Sequence, residues 1–389
     1  MIKLALGIII GYLTTFFLLP LIIRFASDKQ LFDIPDERKT HNHGVSSLGG
    51  IAIFIGLILS LLLIEDFTGN HSEFQYFIAS FFVIFLLGVI DDIFILKAWK
   101  KFLGQLLVTT LLIFKGGLLI TDFHGFLGIY QLSYEQGIAV TGFSMLLLIN
   151  SFNLIDGVDG LAASLGFIAC LFFGTFFLIN NVIPFAVLSF SMCSVLLAFL
   201  MYNFPPAKIF MGDSGSTLIG LMTAILSIKF IQDPSIQVTF GNGSVPVIAF
   251  GFLLIPLMDV LRVFTLRIYK RRSPLMPDRN HLHHLLQNKG LSHTEVTLTL
   301  VTAQFVFAML TLFMQDFNIN LILTIQFILY FSSAFILKQL IPARKKMHIV
   351  RDEMNDVIKT DLKVYPIYPV KEKVQTVTVE ESEKKFLNT

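Results

Sequence analysis

The chain has 389 residues, of which 54% are hydrophobic and only 14% are charged, and its formal net charge is +2. Soluble globular domains carry roughly a quarter charged residues. This composition therefore excludes an ordinary soluble enzyme and indicates an integral membrane protein. The two cysteines, Cys170 and Cys193, lie inside apolar runs and are interpreted as packing residues.

The first apolar run extends from Leu4 to Ile23. It is longer than the apolar region of a signal peptide, which has about 7–15 residues, and no small-x-small cleavage site follows it. It is also long enough to cross the roughly 30 Å of hydrocarbon in a bilayer. We therefore predict a retained transmembrane helix in this segment.

Apolar runs of similar length recur along the chain and predict an all-α polytopic membrane protein with about eleven transmembrane helices. The fifth run is the least regular, because it is short and contains Gly142 and Asn150. We place the helices near residues 2–25, 47–64, 74–90, 102–121, 137–152, 160–179, 184–202, 214–231, 245–269, 295–314 and 319–341.

Lysines and arginines are distributed unevenly between these runs, and such a bias predicts the orientation of the chain in the membrane. If the N-terminus is outside, the outside segments hold Lys3, Lys115 and Lys229 beside several carboxylates. The inside loops then hold Arg24, Lys29, Arg38, Lys39, Lys97, Lys100, Lys101, Lys208, Arg267, Lys270, Arg271, Arg272, Arg279 and Lys289. We therefore expect the N-terminus outside and the C-terminus in the cytoplasm.

Two regions follow from this pattern. Residues 1–341 are predicted to form a polytopic membrane domain. Residues 342–389 are charged, lack an apolar period and end in EESEKKFLNT, so we predict a flexible cytoplasmic tail.

Nearly all the chemically interesting polar residues fall in the predicted inside loops, where ionisable groups near helix ends are costly to desolvate. The adjacent Asp91 and Asp92 end an apolar helix, and their like charges repel unless a cation lies nearby. Asp156 and Asp159 are three residues apart in N-x-x-D-G-x-D-G and would share a face if this segment is helical. Asp213, in F-M-G-D-S-G-S, precedes an apolar run whose first amides would form an anion site.

Five carboxylates on one side, with glycines and basic residues beside them, describe a site where a hard cation holds phosphates. Mg²⁺ binds through one or two carboxylates plus substrate oxygens. Each aspartate alone is more often a helix cap or a solvated interfacial group, so the interpretation depends on their concentration on one side. Lys97, Lys100 and Lys101, taken as a group, are explained as well by a role as topogenic charges or headgroup contacts as by a role in this site.

Three histidines, His281, His283 and His284, lie in the sequence N-H-L-H-H of the last inside loop. They resemble a fragment of a zinc site, but zinc requires three or four ligands, and neither a cysteine nor an H-E-x-x-H partner accompanies them. Contact with a phosphate or a sugar is the preferred interpretation. Solvated loop histidines are the alternative.

The ordered set of loop motifs resembles the polyprenyl-phosphate N-acetylhexosamine-1-phosphate transferase superfamily, glycosyltransferase family 4, over about residues 1–340. Within it, the chain is most similar to the branch that transfers N-acetylglucosamine-1-phosphate (GlcNAc-1-phosphate) to undecaprenyl phosphate. The branch that acts on phospho-MurNAc-pentapeptide fits less well. It carries a proline and three consecutive histidines where this chain reads DRNHLHH over 278–284.

The resemblance implies roles for the matching residues of this chain. The catalytic residues would be Asp91, Asp92, Lys101, Asp156 and Asp213. The nucleotide would be bound by Asn153, Asp159 and Phe210. The diphosphate and sugar would be recognised by Arg279, His281, His283 and His284. The resemblance further implies that Asp91 accepts the proton of the lipid phosphate, and that Asp213 and Asp156 bind Mg²⁺, with Mn²⁺ as the alternative metal.

The implied activity is transfer of GlcNAc-1-phosphate from UDP-GlcNAc to undecaprenyl phosphate, releasing UMP and starting a cell-envelope polysaccharide such as a teichoic acid or O-antigen. The expected setting is the bilayer of the cytoplasmic membrane, with the active site facing the cytoplasm and no nucleic-acid partner. A homodimer is left open. UDP-GalNAc or UDP-MurNAc-pentapeptide is the alternative donor, and a transporter of an anionic solute is the alternative class.

Overall fold

The computed structural model describes residues 2–31, 45–64, 73–94, 96–236, 245–271, 280–340, 349–351 and 357–359. The chain divides into two units, Met1–Pro342 and Ala343–Thr389. The first unit is a bundle of helices. In the second, Ile349–Arg351 and Val357–Lys359 form an antiparallel pair of short strands, an element that the sequence did not predict.

Every predicted membrane segment overlaps a helix or a pair of helices. The helices are α1 Ile2–Asp28, α2 Gly49–Ile64, α3 Phe74–Phe94, α4 Ala98–Phe114, α5 Tyr134–Ile155, α6 Leu161–Ile179, α7 Ile183–Asn203, α8 Gly212–Gln232, α9 Val245–Phe252, α10 Leu254–Tyr269, α11 Leu282–Asn288, α12 His293–Phe313 and α13 Ile319–Leu340. The strands β1 Asp122–Phe126 and β2 Ile129–Gln131 form a hairpin between α4 and α5.

Eight helices in the described part of the chain are long and apolar enough to cross a membrane: α1, α3, α5, α6, α7, α8, α12 and α13. The pair α9 and α10 would add a ninth span, bent by 84° at its break. The prediction of a polytopic membrane protein built from helices is therefore confirmed. The short run predicted near 137–152 is a full helix of 22 residues that begins with a capping box at Ser133 and Gln136.

Two predicted segments need correction. The helix predicted over 102–121 is α4, which ends at Phe114, and Gly117 (φ +66°) precedes an irregular segment that leads into the hairpin. Hydropathy alone does not distinguish this segment from a helix, because its Leu118 and Ile120 are apolar and buried. The helix predicted over 245–269 breaks at Leu253, because Pro256 has no N–H with which to bond the carbonyl of Phe252.

Helix α8 is the most deeply buried span and packs against α2, α3, α5 and α6. Close approach at its first turn depends on glycines. A Cβ atom on Gly88 of α3 would overlap the backbone of Ser214, and one on Gly50 of α2 would overlap that of Gly215. Small residues allow membrane helices to pack closely in this way, so the start of α8 is held between α2 and α3.

Candidate active site

Three helix ends converge on an ion-paired group. Lys101, in the first turn of α4, places its Nζ 2.6 Å from Oδ2 of Asp213 at the start of α8. The same ammonium group forms an ion pair with the buried Asp91 near the end of α3. The backbone amide of Leu96 donates to Oδ1 of Asp91 at 2.5 Å. One cation therefore offsets two of the predicted carboxylates, residues that are more than a hundred positions apart in the sequence.

Asp92 lies beside Asp91 but has different partners. Its two carboxylate oxygens accept hydrogen bonds from the backbone amides of Asp213, at 2.7 Å, and Ser214, at 3.1 Å. Amides at a helix start attract anions. The sequence assigned the first amides of α8 to a ligand anion, but the structure gives the Ser214 amide to Asp92. We interpret Asp92 as the residue that caps α8 and orients Asp213.

Asp156 immediately follows the last residue of α5, with φ −77° and ψ 58°. It is half-buried, and the described part of the chain offers its carboxylate no hydrogen bond or ion pair. Burial raises its pKa to about 8, and repulsion from Asp213, Asp92 and Asp159 adds to this effect. A bound cation would remove this cost.

The neighbouring turn is held by its polar side chains. Asn153 donates from Nδ2 to Oγ of Ser216 at 3.2 Å. The buried Asp159 accepts from the amide of Ala207 at 3.2 Å, and its other oxygen lies 3.1 Å from Nδ1 of His293. The carboxylate of Asp159 therefore ties the turn to the 204–211 loop and to α12. Its predicted contact with the nucleotide stays a prediction.

The 204–211 loop is positioned by a residue that the sequence analysis missed. Asn203 is buried; its Oδ1 accepts from the amide of Gly160 at 2.9 Å, and its Nδ2 donates to the carbonyl of Ile209 at 2.8 Å. The half-buried Phe210 donates from its amide to the carbonyl of Ser46 at 2.8 Å. In the sequence, Asn203 could have been found as a polar residue at the end of an otherwise apolar helix.

The histidine loop, which carries His281, His283 and His284, packs on the same turn. His283, in α11, is buried, and a Cβ atom on Gly157 would lie 2.7 Å from its Nε2. Burial, followed by repulsion from His284, lowers the pKa of His283 to about 3, so it is a neutral imidazole at physiological pH. The structure thus brings this loop to Asp156. The predicted Arg279 lies outside the described residues.

Two further residues that the sequence analysis missed, Asp259 and Arg262, lie inside the helix predicted over 245–269. Asp259 is buried, and its Oδ2 lies 2.8 Å from Nδ1 of His281. Arg262 donates to Oδ1 of Asp259 at 2.9 Å. The available signal was two ionisable residues three positions apart within an apolar segment, a pattern that marks functional positions in membrane proteins.

The donor set suits a hard cation that shares its coordination with a substrate. Among the described residues, no three His, Cys, Asp or Glu side chains form a self-sufficient metal site. Asp156 nevertheless has a carboxylate crowded by other carboxylates and lacks a cationic partner within the described chain. One or two carboxylates plus phosphate oxygens are the usual protein ligands of Mg²⁺, so Asp156 and Asp213 fit this metal.

Comparison with known proteins places the chain in a family. The family model described as Glycosyl transferase family 4 matches residues 74–231. A Bacillus subtilis (strain 168) protein named "Probable undecaprenyl-phosphate N-acetylglucosaminyl 1-phosphate transferase" is 32% identical over 332 residues, which cover 85% of this chain and 90% of that protein. The chain belongs to glycosyl transferase family 4. The resemblance inferred from the loop motifs is confirmed.

Two further relatives differ from each other in the carrier that their names state. A Mycolicibacterium smegmatis protein named "Decaprenyl-phosphate N-acetylglucosaminephosphotransferase" is 34% identical and covers 75% of this chain and 76% of its own length. An Escherichia coli (strain K12) protein named "Undecaprenyl-phosphate alpha-N-acetylglucosaminyl 1-phosphate transferase" is 28% identical, with coverage of 70% and 74%. The names share the sugar and differ in the polyprenyl carrier.

Proposed function

We propose that this protein transfers GlcNAc-1-phosphate from UDP-GlcNAc to undecaprenyl phosphate and releases UMP. The names of its relatives support a polyprenyl-phosphate acceptor and an N-acetylglucosamine donor. The observation that carries the proposal is the group in which Lys101 pairs with Asp91 and Asp213, next to the crowded Asp156. Transfer between two phosphates requires such a combination of positive charge and metal-binding carboxylates.

In the proposed reaction, an oxygen of the lipid phosphate attacks the β-phosphorus of UDP-GlcNAc. A new P–O bond forms, the bond from this phosphorus to the oxygen of the α-phosphate breaks, and UMP leaves with that oxygen. Lys101 holds the incoming phosphate, and Asp91 accepts its proton when it arrives protonated. The chain contributes mainly positioning and charge neutralisation. A phospho-aspartate intermediate is the alternative route, and a hydroxylamine-sensitive labelled adduct would identify it.

The remaining site residues complete the proposal. Mg²⁺, or Mn²⁺ in its place, would be held by Asp213 and Asp156 and would neutralise diphosphate charge when bound. Asn153, Asp159 and Phe210 are assigned to the nucleotide. The diphosphate and the sugar are assigned to Arg279, His281, His283 and His284.

We further propose eleven membrane crossings in the cytoplasmic membrane, with α2, α4 and the α9–α10 pair added to the eight longer spans. The N-terminus would be outside and the site cytoplasmic, as the distribution of lysine and arginine favours. The product would start a cell-envelope polysaccharide, and assembly as a homodimer is a further proposal. Membership of family 4 favours the transferase over an anion transporter.

The test uses purified protein in detergent with undecaprenyl phosphate, Mg²⁺ and a panel of UDP-sugars, and it measures the release of UMP. We expect UMP with UDP-GlcNAc and a loss of activity with EDTA. If UMP forms only with UDP-GalNAc or UDP-MurNAc-pentapeptide, the proposed chemistry stands and the proposed donor is wrong. The absence of UMP with every donor, from folded protein, would contradict the proposed function.

A further inference from the structure

A buried ionic cluster lies beneath the histidine loop. Asp259 and Arg262 are one turn apart in α10, and the Asp259 side chain is only 1% exposed. Besides Asp259, Nη2 of Arg262 donates to the backbone carbonyl of Asn280 at 2.5 Å. Burying two charged groups in an apolar helix is costly. Ionisable residues inside membrane segments therefore commonly mark functional positions. The cluster holds the segment that leads into α11.

Asp259 contacts both His281 and the residue that follows it. Its Oδ2 lies 2.8 Å from Nδ1 of His281, and its Oδ1 accepts from the amide of Leu282 at 2.8 Å. The guanidinium of Arg262 also donates to Oδ1, so Asp259 is an ionised carboxylate. A carboxylate can only accept hydrogen bonds. Nδ1 of His281 must therefore carry a proton.

The other ring nitrogen is left with a defined property. In neutral His281 with a proton on Nδ1, Nε2 presents a lone pair and can only accept. Nε2 is buried and has no hydrogen-bond partner within the described chain. A phosphate oxygen cannot donate to it, whereas a sugar hydroxyl or an acetamido N–H can.

The ring lies close to the proposed site. His281 stacks on His283 with ring centroids 5.7 Å apart and an angle of 13° between the planes. His283 in turn packs against Gly157, next to Asp156. The acceptor nitrogen therefore belongs to the histidine layer that covers the Asp156 turn.

We propose that Asp259 is a positioning residue that fixes the tautomer of His281, so that Nε2 accepts a hydrogen bond from the sugar of the nucleotide-sugar donor. This inference rests on the proposed function for the identity of the ligand. It separates the roles within the histidine loop, because it assigns His281 to the sugar instead of the diphosphate. Arg262 fixes the Asp259 carboxylate through its hydrogen bond to Oδ1.

The test compares equilibrium binding of UDP-GlcNAc and UDP to the full-length protein in detergent, for wild type, Asp259→Asn and His281→Ala. An asparagine amide would donate to Nδ1 and move the imidazole proton to Nε2, as in the serine-protease precedent. We expect UDP-GlcNAc to bind about tenfold more weakly to both variants, the loss of one hydrogen bond. UDP, which lacks the N-acetylglucosamine moiety, should bind all three proteins equally. An equal loss of both ligands would overturn the proposal.

Two further measurements distinguish a positioning role of Asp259 from an effect on folding, and they do not depend on the UMP-release assay. If Asp259 acts through His281, the double variant should bind UDP-GlcNAc no more weakly than His281→Ala alone. Nitrogen NMR of ¹⁵N-histidine-labelled wild type, with His281→Ala used to assign the signal, should show the proton on Nδ1. This measurement requires neither turnover nor a variant at Asp259. A proton on Nε2 in the wild type would overturn the proposal even if UMP release is observed.

Discussion

Neighbouring aspartates in this site have different partners because successive helical residues point in directions about 100° apart. At the end of α3, Asp91 faces Lys101, whereas Asp92 faces the start of α8. The sequence predicts that two adjacent carboxylates need compensation, and the structure supplies it in two ways, by an ammonium group and by a pair of amides. Asp91 thus shares the ammonium group of Lys101 with Asp213, whereas Asp92 accepts hydrogen bonds from the backbone amides of α8.

Asp213 provides the sharpest test at the residue scale. Replacing it by asparagine keeps its size but removes the charge that pairs with Lys101 and would bind the metal. We expect Asp213→Asn to lose at least about a hundredfold in kcat, the order of magnitude for the loss of an electrostatic group at a reacting centre, and to require more Mg²⁺ for half-maximal rate. UMP release measured against Mg²⁺ concentration gives both quantities.

The matched control lies at the other end of the same helix. Asp233 follows Gln232 and pairs with Lys229 at 3.6 Å. Asp233→Asn should leave the rate and the Mg²⁺ requirement unchanged, because this half-buried carboxylate contacts only Lys229 and Ser235 among the described residues, at the opposite end of α8 from Asp213. Full activity in the Asp213 variant would remove the metal assignment from this residue.

At the scale of elements, the contact between α3 and α8 sets the geometry of the site. Gly88 lies three residues before Asp91, and its Cα approaches the backbone of Ser214 so closely that a methyl group would overlap it. Gly88→Ala should therefore push the two helices apart and move Asp91 and Asp92 away from α8. We expect at least a tenfold loss of kcat and a lower midpoint of thermal unfolding in detergent, since overpacking costs about 1–3 kcal/mol.

Gly142 in α5 is the matched control for this substitution. A Cβ atom there would meet Thr109 and Ile113 at 3.7 and 3.8 Å, which is ordinary van der Waals contact. Gly142→Ala should keep full activity and stabilise the helix by up to about 1 kcal/mol. Equal effects of the two substitutions on UMP release would show that the α3–α8 contact is not critical.

The sequence predicts the positions of the membrane segments well because apolar length is a local property. It does not predict which helix ends meet, since Lys101, Asp156 and Asp213 come together through packing around α8. Asp259 and Arg262 escaped notice for a related reason. Within an apolar run these two residues do not interrupt the hydropathy pattern. Their role can be inferred only from the structure, in which His281 lies beside Asp259.

At the scale of the whole molecule, the proposed mechanism requires every site residue to face the cytoplasm, and α4 offers a direct test. Lys97 and Lys115 flank this helix, and both are exposed. Its 17 residues extend about 26 Å at 1.5 Å per residue, close to the hydrocarbon thickness of a bilayer. With the buried Cys170 and Cys193 replaced by alanine, Lys97→Cys and Lys115→Cys would each carry a single thiol.

In intact cells, a membrane-impermeant maleimide should label Lys115→Cys and spare Lys97→Cys, because the distribution of basic residues places Lys97 inside. After the membrane is permeabilised, both variants should be labelled, which controls for access to each thiol. UMP release by both purified variants would show that the site remains intact. Labelling of Lys97→Cys alone in intact cells would show the opposite topology. The Asp91–Lys101–Asp213 group would then lie on the side of the membrane that lacks UDP-sugars, which would contradict the proposed function.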